Sequence, residues 1–217
     1  MAFFTRLKHP FCSISHLIGS AAAVVGTVVL LLMARSPLAF VAFAIYGASL
    51  IGLYSASGIY HAVVCEGGRE TFLRKLDHTG IFLLIAGTYV PVCLLALPRE
   101  YGWTFVALQA LFALIGVGST FVLRKFPEVL NVVLYLLMGW MAVAAFGWIG
   151  SNWPKQATVL LVIGGLVYTV GAVIFATDSP HLLPGRFSAH DLWHLFVLGG
   201  SACHFALMAT YVAKIPG

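Results

Sequence analysis

The chain has 217 residues, of which 61% are hydrophobic and only 9% are charged. Because a soluble domain usually carries about a quarter charged residues, this composition excludes a water-soluble protein and indicates an integral membrane protein. The formal net charge is +5, but the 12 basic residues are scattered singly or in pairs between apolar stretches. That distribution excludes a nucleic-acid-binding surface and is typical of membrane topology.

Seven apolar stretches are each long enough to cross a bilayer as a helix, which takes about 20 residues. They predict an all-α fold, a seven-transmembrane helix bundle that forms one integral membrane domain over residues 1–217. The first stretch has no clear small-residue cleavage site, so we expect a retained helix. The connections are short, and consecutive helices should therefore be antiparallel neighbours. In chain order the predicted helices span about 15–34, 38–64, 77–97, 102–123, 128–149, 156–177 and 189–213.

Basic residues in the short loops predict the orientation, because such residues concentrate on the cytoplasmic side of a membrane. One side of the predicted bundle carries eight of them and the other side carries four. We therefore expect the N-terminus in the cytoplasm and the C-terminus outside. The eight are Arg6, Lys8, Arg69, Arg74, Lys75, Arg124, Lys125 and Arg186, and the four are Arg35, Arg99, Lys155 and Lys214.

Four ionisable residues from remote parts of the chain are expected at one depth, near the cytoplasmic side. His61 ends the second predicted helix, Asp77 opens the third, and His190 and His194 begin the seventh. The last two are four residues apart, so both side chains share one helix face and can reach one metal ion. In a soluble protein such a pair more often consists of histidines satisfied by backbone or water. Inside a membrane, where buried polar groups are costly, the third histidine favours a metal site.

His61 is the third ligand candidate, and it shares a polar stripe with Tyr54 and Ser57. Three neutral imidazoles with an open fourth position are typical of a catalytic zinc site. Nitrogen ligands with oxygen in the fourth place favour zinc over softer metals. Ser57 either belongs to this site or returns its hydroxyl to its own helix backbone.

Two aspartates compete for the role of general base. Asp77 is either a helix cap, an ion-pair partner of the adjacent basic residues, or the group that takes a proton from a water on the metal. Asp191 occupies the glutamate position of the zinc-protease motif HExxH, but its side chain is shorter and it directly follows His190. We favour Asp77 as the base and keep Asp191 as the alternative.

The remaining histidines and cysteines carry weaker signals. His16 is a candidate for the layer of residues around the ligands. His204 lies roughly 15 Å along the helix axis from His194, too far for the same ion, and is a candidate for a polar pocket or proton path. We expect loop positions without a role, or small buried fillers, at His9, His181, Cys93 and Cys203.

Three blocks of the sequence, SASGIYH, LRKLDHTGIFLLIAGTYVP and HDLWHLFVLGGSACHF, resemble the haemolysin III branch of the progestin and adipoQ receptor family. The resemblance implies seven helices that enclose a zinc ion near the cytoplasmic side. By motif, His61, His190 and His194 would bind the zinc, Asp77 would hold its water, and Ser57 matches the serine before the first histidine. It also implies a relationship to ceramide hydrolases, a bacterial cytoplasmic membrane and a link to membrane homeostasis.

Two functions fit these expectations. The first is an intramembrane zinc-dependent hydrolase of a lipid amide or ester, in which Asp77 shuttles the proton and Ser57 stabilises the oxyanion. The alternative is a non-enzymatic sensor or regulator of membrane lipid or energetic homeostasis, in which zinc holds the second and seventh helices together. A pore-forming haemolysin is disfavoured, because a pore carries a polar face along whole helices and the polar residues here cluster at one end.

Overall fold

The computed structural model describes residues 7–122, 128–180, 182–183 and 187–215. Within these ranges every regular element is helical apart from a single β-bridge between Leu183 and Phe187, so the all-α prediction is confirmed. The α-helices are α1 Pro10–Met33, α2 Pro37–Ala62, α3 Gly67–Ala96, α4 Arg99–Val122, α5 Glu128–Trp140, α6 Phe146–Asn152, α7 Lys155–Thr177 and α8 Ala189–Thr210; 3-10 helices occupy Met141–Ala145 and Val212–Lys214.

Seven helical segments of the described chain are long and apolar enough to cross a membrane, which confirms the predicted number of spans. The fifth of them, Val129–Asn152, contains α5, a 3-10 helix and α6. The hydroxyl of Tyr89 lies at this break: it donates to the carbonyl of Gly139 at 2.6 Å and accepts from the N–H of Ala142 at 2.8 Å. Such a contact satisfies the backbone groups that the interrupted helix leaves free inside a bilayer.

Two predicted helix starts are wrong, and both errors matter for the site. The third helix begins at Gly67 rather than near 77, because its polar first turns extend beyond the apolar stretch. Asp77 therefore lies inside α3, and the interpretation of this residue as a helix cap is incorrect. The first helix begins at Pro10 rather than near 15, since the fixed φ of proline suits the first helical turn. His16 consequently lies six residues beyond the first residue of α1 rather than at the start of the helix.

Antiparallel packing joins α1 to α2, α2 to α3, α3 to α4 and α7 to α8, while α1 also packs against α8 and α5 packs against α7. The core between them is apolar, with Phe43, Tyr46, Leu207 and Met208 fully buried. Close packing is tightest at Gly102, where a Cβ atom would collide with a main-chain carbonyl of α3. Glycine permits this approach of two helices, as small residues commonly do in membranes.

This topology places the beginnings of α1, α3, α5 and α8 and the ends of α2 and α7 around one cavity. We call this region the N-terminal end of the bundle. Of the loop residues used to predict orientation, Arg6, Arg124, Lys125 and Arg186 lie outside the described residues, as does His181.

Candidate metal centre

Three histidine rings converge at the N-terminal end of the bundle. The last turn of α2 supplies His61, and the first turns of α8 supply His190 and His194. The Nε2 atom of His190 lies 3.4 Å from that of His61 and 3.2 Å from that of His194. His61 and His194 are almost completely buried, with 3% and 2% of their surface exposed. Two of the three rings are thus enclosed within the protein, and the Nε2 atom of the half-buried His190 lies close to both of the others.

The spacing of these nitrogens fits a metal ion better than hydrogen bonds. A ring nitrogen carries either one N–H or one lone pair, so the Nε2 atom of His190 has one ordinary hydrogen bond to offer. It nevertheless lies within 3.4 Å of two other Nε2 atoms. Nitrogens that bind a divalent cation tetrahedrally at about 2.0–2.1 Å are about 3.3–3.4 Å apart. These two separations therefore match the spacing of nitrogens that bind one tetrahedral ion.

Cys12 is a further candidate ligand that the sequence analysis missed. Its Sγ atom and one ring nitrogen each of His190 and His194 all lie within 4.8 Å of one another, so these three residues could hold a metal ion. The thiol is buried and donates to Oδ1 of Asp191 at 3.1 Å. Cys12 lies far from both histidines in the sequence, so no local spacing signals that the three residues meet.

Asp77 and Ser57 lie on the α3 side of the histidines. The Oδ2 atom of Asp77 is 3.9 Å from the Nε2 atom of His61, and the Asp77 side chain is 13% exposed. The Ser57 hydroxyl, one turn before His61 on α2, is buried and interacts with this carboxylate. Ser57 lines the same cavity as the histidines, as the site interpretation of this residue requires. All five residues that the sequence analysis singled out line the same cavity.

Asp191 has a different environment from Asp77. Its Oδ2 atom accepts hydrogen bonds from the main-chain N–H of Ser188 at 2.8 Å and from the Ser188 hydroxyl at 2.7 Å. The N–H of Asp191 donates in return to the Ser188 hydroxyl at 3.1 Å, which completes a capping box at the start of α8. Because Oδ1 accepts from Cys12, both carboxylate oxygens are engaged. Asp191 thus fixes the turn that carries His190 and His194.

His16 and His9 surround the ligand candidates. The ring of His16 stacks on that of His194, with centroids 3.9 Å apart, and neither of its nitrogens has a hydrogen-bond partner among the described residues. The main-chain N–H of His9 donates to the carbonyl of His61 at 2.9 Å. This main-chain bond ties the segment before α1 to the end of α2 and does not involve the His9 side chain. His204 lies elsewhere, with its Nε2 atom 3.4 Å from the carbonyl of Leu161.

Two adjoining cavities open from the site. The first has a volume of about 650 Å³, contains the histidines and Asp77, and has Lys8 and Arg74 in its wall. The second, of about 170 Å³, is almost entirely apolar and extends between the third, fifth, sixth and seventh spans. Both cavities are lined by Leu53, Ile81, Tyr135, Trp193 and Val197. A polar compartment around the site thus adjoins an apolar compartment inside the bundle.

Comparison with known proteins shows a family to which this chain is similar. The model of the family described as haemolysin-III related matches residues 4–205. The protein named hemolysin-3 from Bacillus cereus is 35% identical over 204 residues, which cover 92% of this chain and 90% of that protein. The hemolysin-3 homolog of Bacillus subtilis (strain 168) is 32% identical over 217 residues, or 98% of each chain. The human monocyte to macrophage differentiation factor is 28% identical over 182 residues, which cover 79% of this chain and 71% of the human protein.

Proposed function

The chain belongs to the haemolysin III family of membrane proteins, and on this basis we propose that it is an intramembrane zinc-dependent hydrolase of a lipid amide or ester, similar to a ceramidase. The observation that carries the proposal is the convergence of three imidazole nitrogens beside a carboxylate in a cavity. His61, His190 and His194 would hold the zinc. When bound, a zinc ion supplies Lewis acidity, which polarises a carbonyl group and makes a water molecule more acidic.

Asp77 would act as the general base and then the general acid. It would accept the proton of the attacking water and pass it to the leaving amine or alkoxide, so that the proton count balances at the end of the reaction. Its Oδ2 atom lies 3.9 Å from the Nε2 atom of His61, so the carboxylate is next to the candidate ligands. The contact with Ser57 would orient the carboxylate. Because a hydroxyl has one proton, donation to Asp77 competes with the role in oxyanion stabilisation expected from the sequence.

The two cavities support an amphiphilic substrate. A lipid whose acyl chain enters the apolar cavity, lined by residues such as Leu84 and Phe105, would bring its amide or ester towards the histidines. Water would reach the same point through the polar cavity, and burial of the chain would provide binding energy in proportion to the apolar area removed from water. We propose that this polar end faces the cytoplasm and that the membrane is the bacterial cytoplasmic membrane.

The proposed activity can be tested in proteoliposomes that contain the zinc-loaded protein and a panel of long-chain ceramides, other acyl amides and acyl esters. We expect fatty acid release by the wild type and no release by Asp77→Asn with its metal content unchanged. Asp191→Asn is the matched control, because its carboxylate caps α8 and should be needed for stability rather than turnover. Release that survives in Asp77→Asn but is lost in a folded Asp191→Asn would reverse the assignment.

Cys12 favours a second candidate function. If its thiolate takes the fourth coordination position, three histidines and one cysteine close the site, and closed four-coordination is typical of structural zinc. The protein would then be a non-enzymatic regulator of membrane lipid or energetic homeostasis, with the metal tying α1 and α2 to α8. Substitution with cobalt separates the candidates. A thiolate-to-cobalt charge-transfer band that disappears in Cys12→Ser indicates the closed site, and its absence from the wild type indicates the open one.

A further inference from the structure

The charged side chains around the polar cavity differ in whether they already contact a partner in the protein. The Lys8 ammonium lies 2.7 Å from Oε1 of Glu70 and 4.4 Å from the centroid of the Tyr60 ring. The carboxylate of Asp191 accepts hydrogen bonds from the α8 cap and from Cys12. Asp77 lies beside the histidines within the cavity. Most of the charged groups in the wall therefore already have a partner in the protein.

Arg74 differs from these groups. Its side chain lines the cavity and is exposed, and among the described residues it forms no ion pair or hydrogen bond. The carboxylate of Glu70, one turn earlier, attracts it electrostatically but is bound by Lys8. A guanidinium group presents a planar fork of donors that matches the two oxygens of a carboxylate or phosphate. Arg74 is thus an available cation at the opening of a cavity that contains a candidate reaction centre.

The positions of Arg74 and Asp77 on α3 indicate how a substrate would be oriented in the site. The two residues are three apart on α3, so their side chains share one face of the helix, with Arg74 about 4.5 Å nearer the start of α3. Ile81, one turn beyond Asp77 on α3, lines both cavities, so the apolar cavity lies farther along the helix from Arg74. An amphiphile in the two cavities would therefore place its head at Arg74, its scissile bond near Asp77 and its chain in the bundle.

We propose that the cavity selects acyl lipids whose head group carries an anionic oxyanion, either a carboxylate or a phosphate, and that Arg74 binds this group. The inference rests on the proposed function, whose substrate class it narrows from any lipid amide or ester to an anionic one. A bidentate pair between a guanidinium and an oxyanion is a strong, charge-assisted hydrogen-bonded contact. We expect it to favour the anionic head at least tenfold over a neutral head of the same size.

The test measures binding separately from hydrolysis. Full-length protein in nanodiscs of zwitterionic lipid is titrated with N-palmitoylglycine, N-palmitoylethanolamine and the phosphate ester of the latter, with protein-free nanodiscs as the blank. These ligands share the amide and the chain and differ in the head group. The variants are Arg74→Gln and, as a matched control on the same helix, Arg69→Gln. Arg69 is exposed but does not line the cavity, so it reports general attraction of anionic lipids to a basic surface.

We expect both anionic ligands to bind the wild type at least tenfold more tightly than the neutral one. This preference should fall to less than threefold in Arg74→Gln and persist in Arg69→Gln, and the tighter of the two anionic ligands identifies the head group. Equal binding of all three ligands by the wild type overturns the inference, as does a preference lost to the same extent in both variants. Selective binding without hydrolysis would remove the proposed function alone, whereas hydrolysis without head-group preference would remove only this inference.

Discussion

Removal of one imidazole should weaken the metal centre by a calculable amount. Structural zinc sites contribute about 10–16 kcal/mol of binding free energy. Shared among four ligands, this is about 2.5–4 kcal/mol each, or a loss of affinity between about 60-fold and 700-fold at 1.4 kcal/mol per factor of ten. His61 is the most informative position, because it is the ligand candidate on α2 and the other two histidines lie on α8. We therefore expect His61→Ala to lose most of the zinc affinity of the wild type.

Stability in the presence of zinc reports the same change. With free zinc at a hundred times the dissociation constant of the wild type, binding raises the free energy of unfolding by about 2.7 kcal/mol. If His61→Ala binds a hundredfold more weakly, the same zinc concentration raises its free energy of unfolding by only about 0.4 kcal/mol. The variant should otherwise fold, since the surrounding contacts of α2 with α1 and α3 remain.

The assay begins with elemental analysis of tag-free protein that has not been exposed to a chelator. Competition titration then gives the zinc affinity, and denaturant unfolding with and without zinc gives the stability. His204→Ala is the control, because this histidine is also on α8 but contacts the carbonyl of Leu161 away from the site. It should keep the zinc affinity of the wild type. A wild type without stoichiometric metal would refute the reasoning, as would an affinity in His61→Ala within threefold of the wild-type value.

Three other results are expected from the packing and the topology. Tyr54→Phe removes the hydroxyl that donates to Oγ of Ser201 at 2.7 Å, and should lower the free energy of unfolding by about 1 kcal/mol. The control Tyr101→Phe, at an exposed position, should leave the free energy of unfolding unchanged. An equal loss in both variants would contradict this explanation. Gly102→Ala places a Cβ against a main-chain carbonyl of α3 and should destabilise by about 1–3 kcal/mol, whereas Gly118→Ala, which meets open space, should fold like the wild type. Alkaline phosphatase fused to the C-terminus should be active and green fluorescent protein at the same position dark; the opposite pattern would refute the orientation expected from the loop charges.

The sequence predicted the class of fold well because the relevant signals are local. The length of an apolar run decides whether a helix can cross the bilayer, and all seven spans followed from it. The spacing of His190 and His194 likewise follows from helix geometry within one turn. The helix starts were less accurate: α3 extends its polar turns to Gly67, and a hydropathy pattern has no signal for a helix that continues beyond the apolar stretch.

Only the tertiary structure decided the neighbours of the ligand candidates. Cys12 and His61 come from helices whose relative rotation depends on packing across the whole bundle, and the sequence analysis therefore missed Cys12. The different surroundings of Asp77 and Asp191 also depend on packing, because the sequence places either carboxylate beside a histidine. In the folded chain, Asp191 is held by Ser188 and Cys12, while Asp77 lies beside His61. Sequence determines which residues can share one helix face, and three-dimensional packing determines which faces meet.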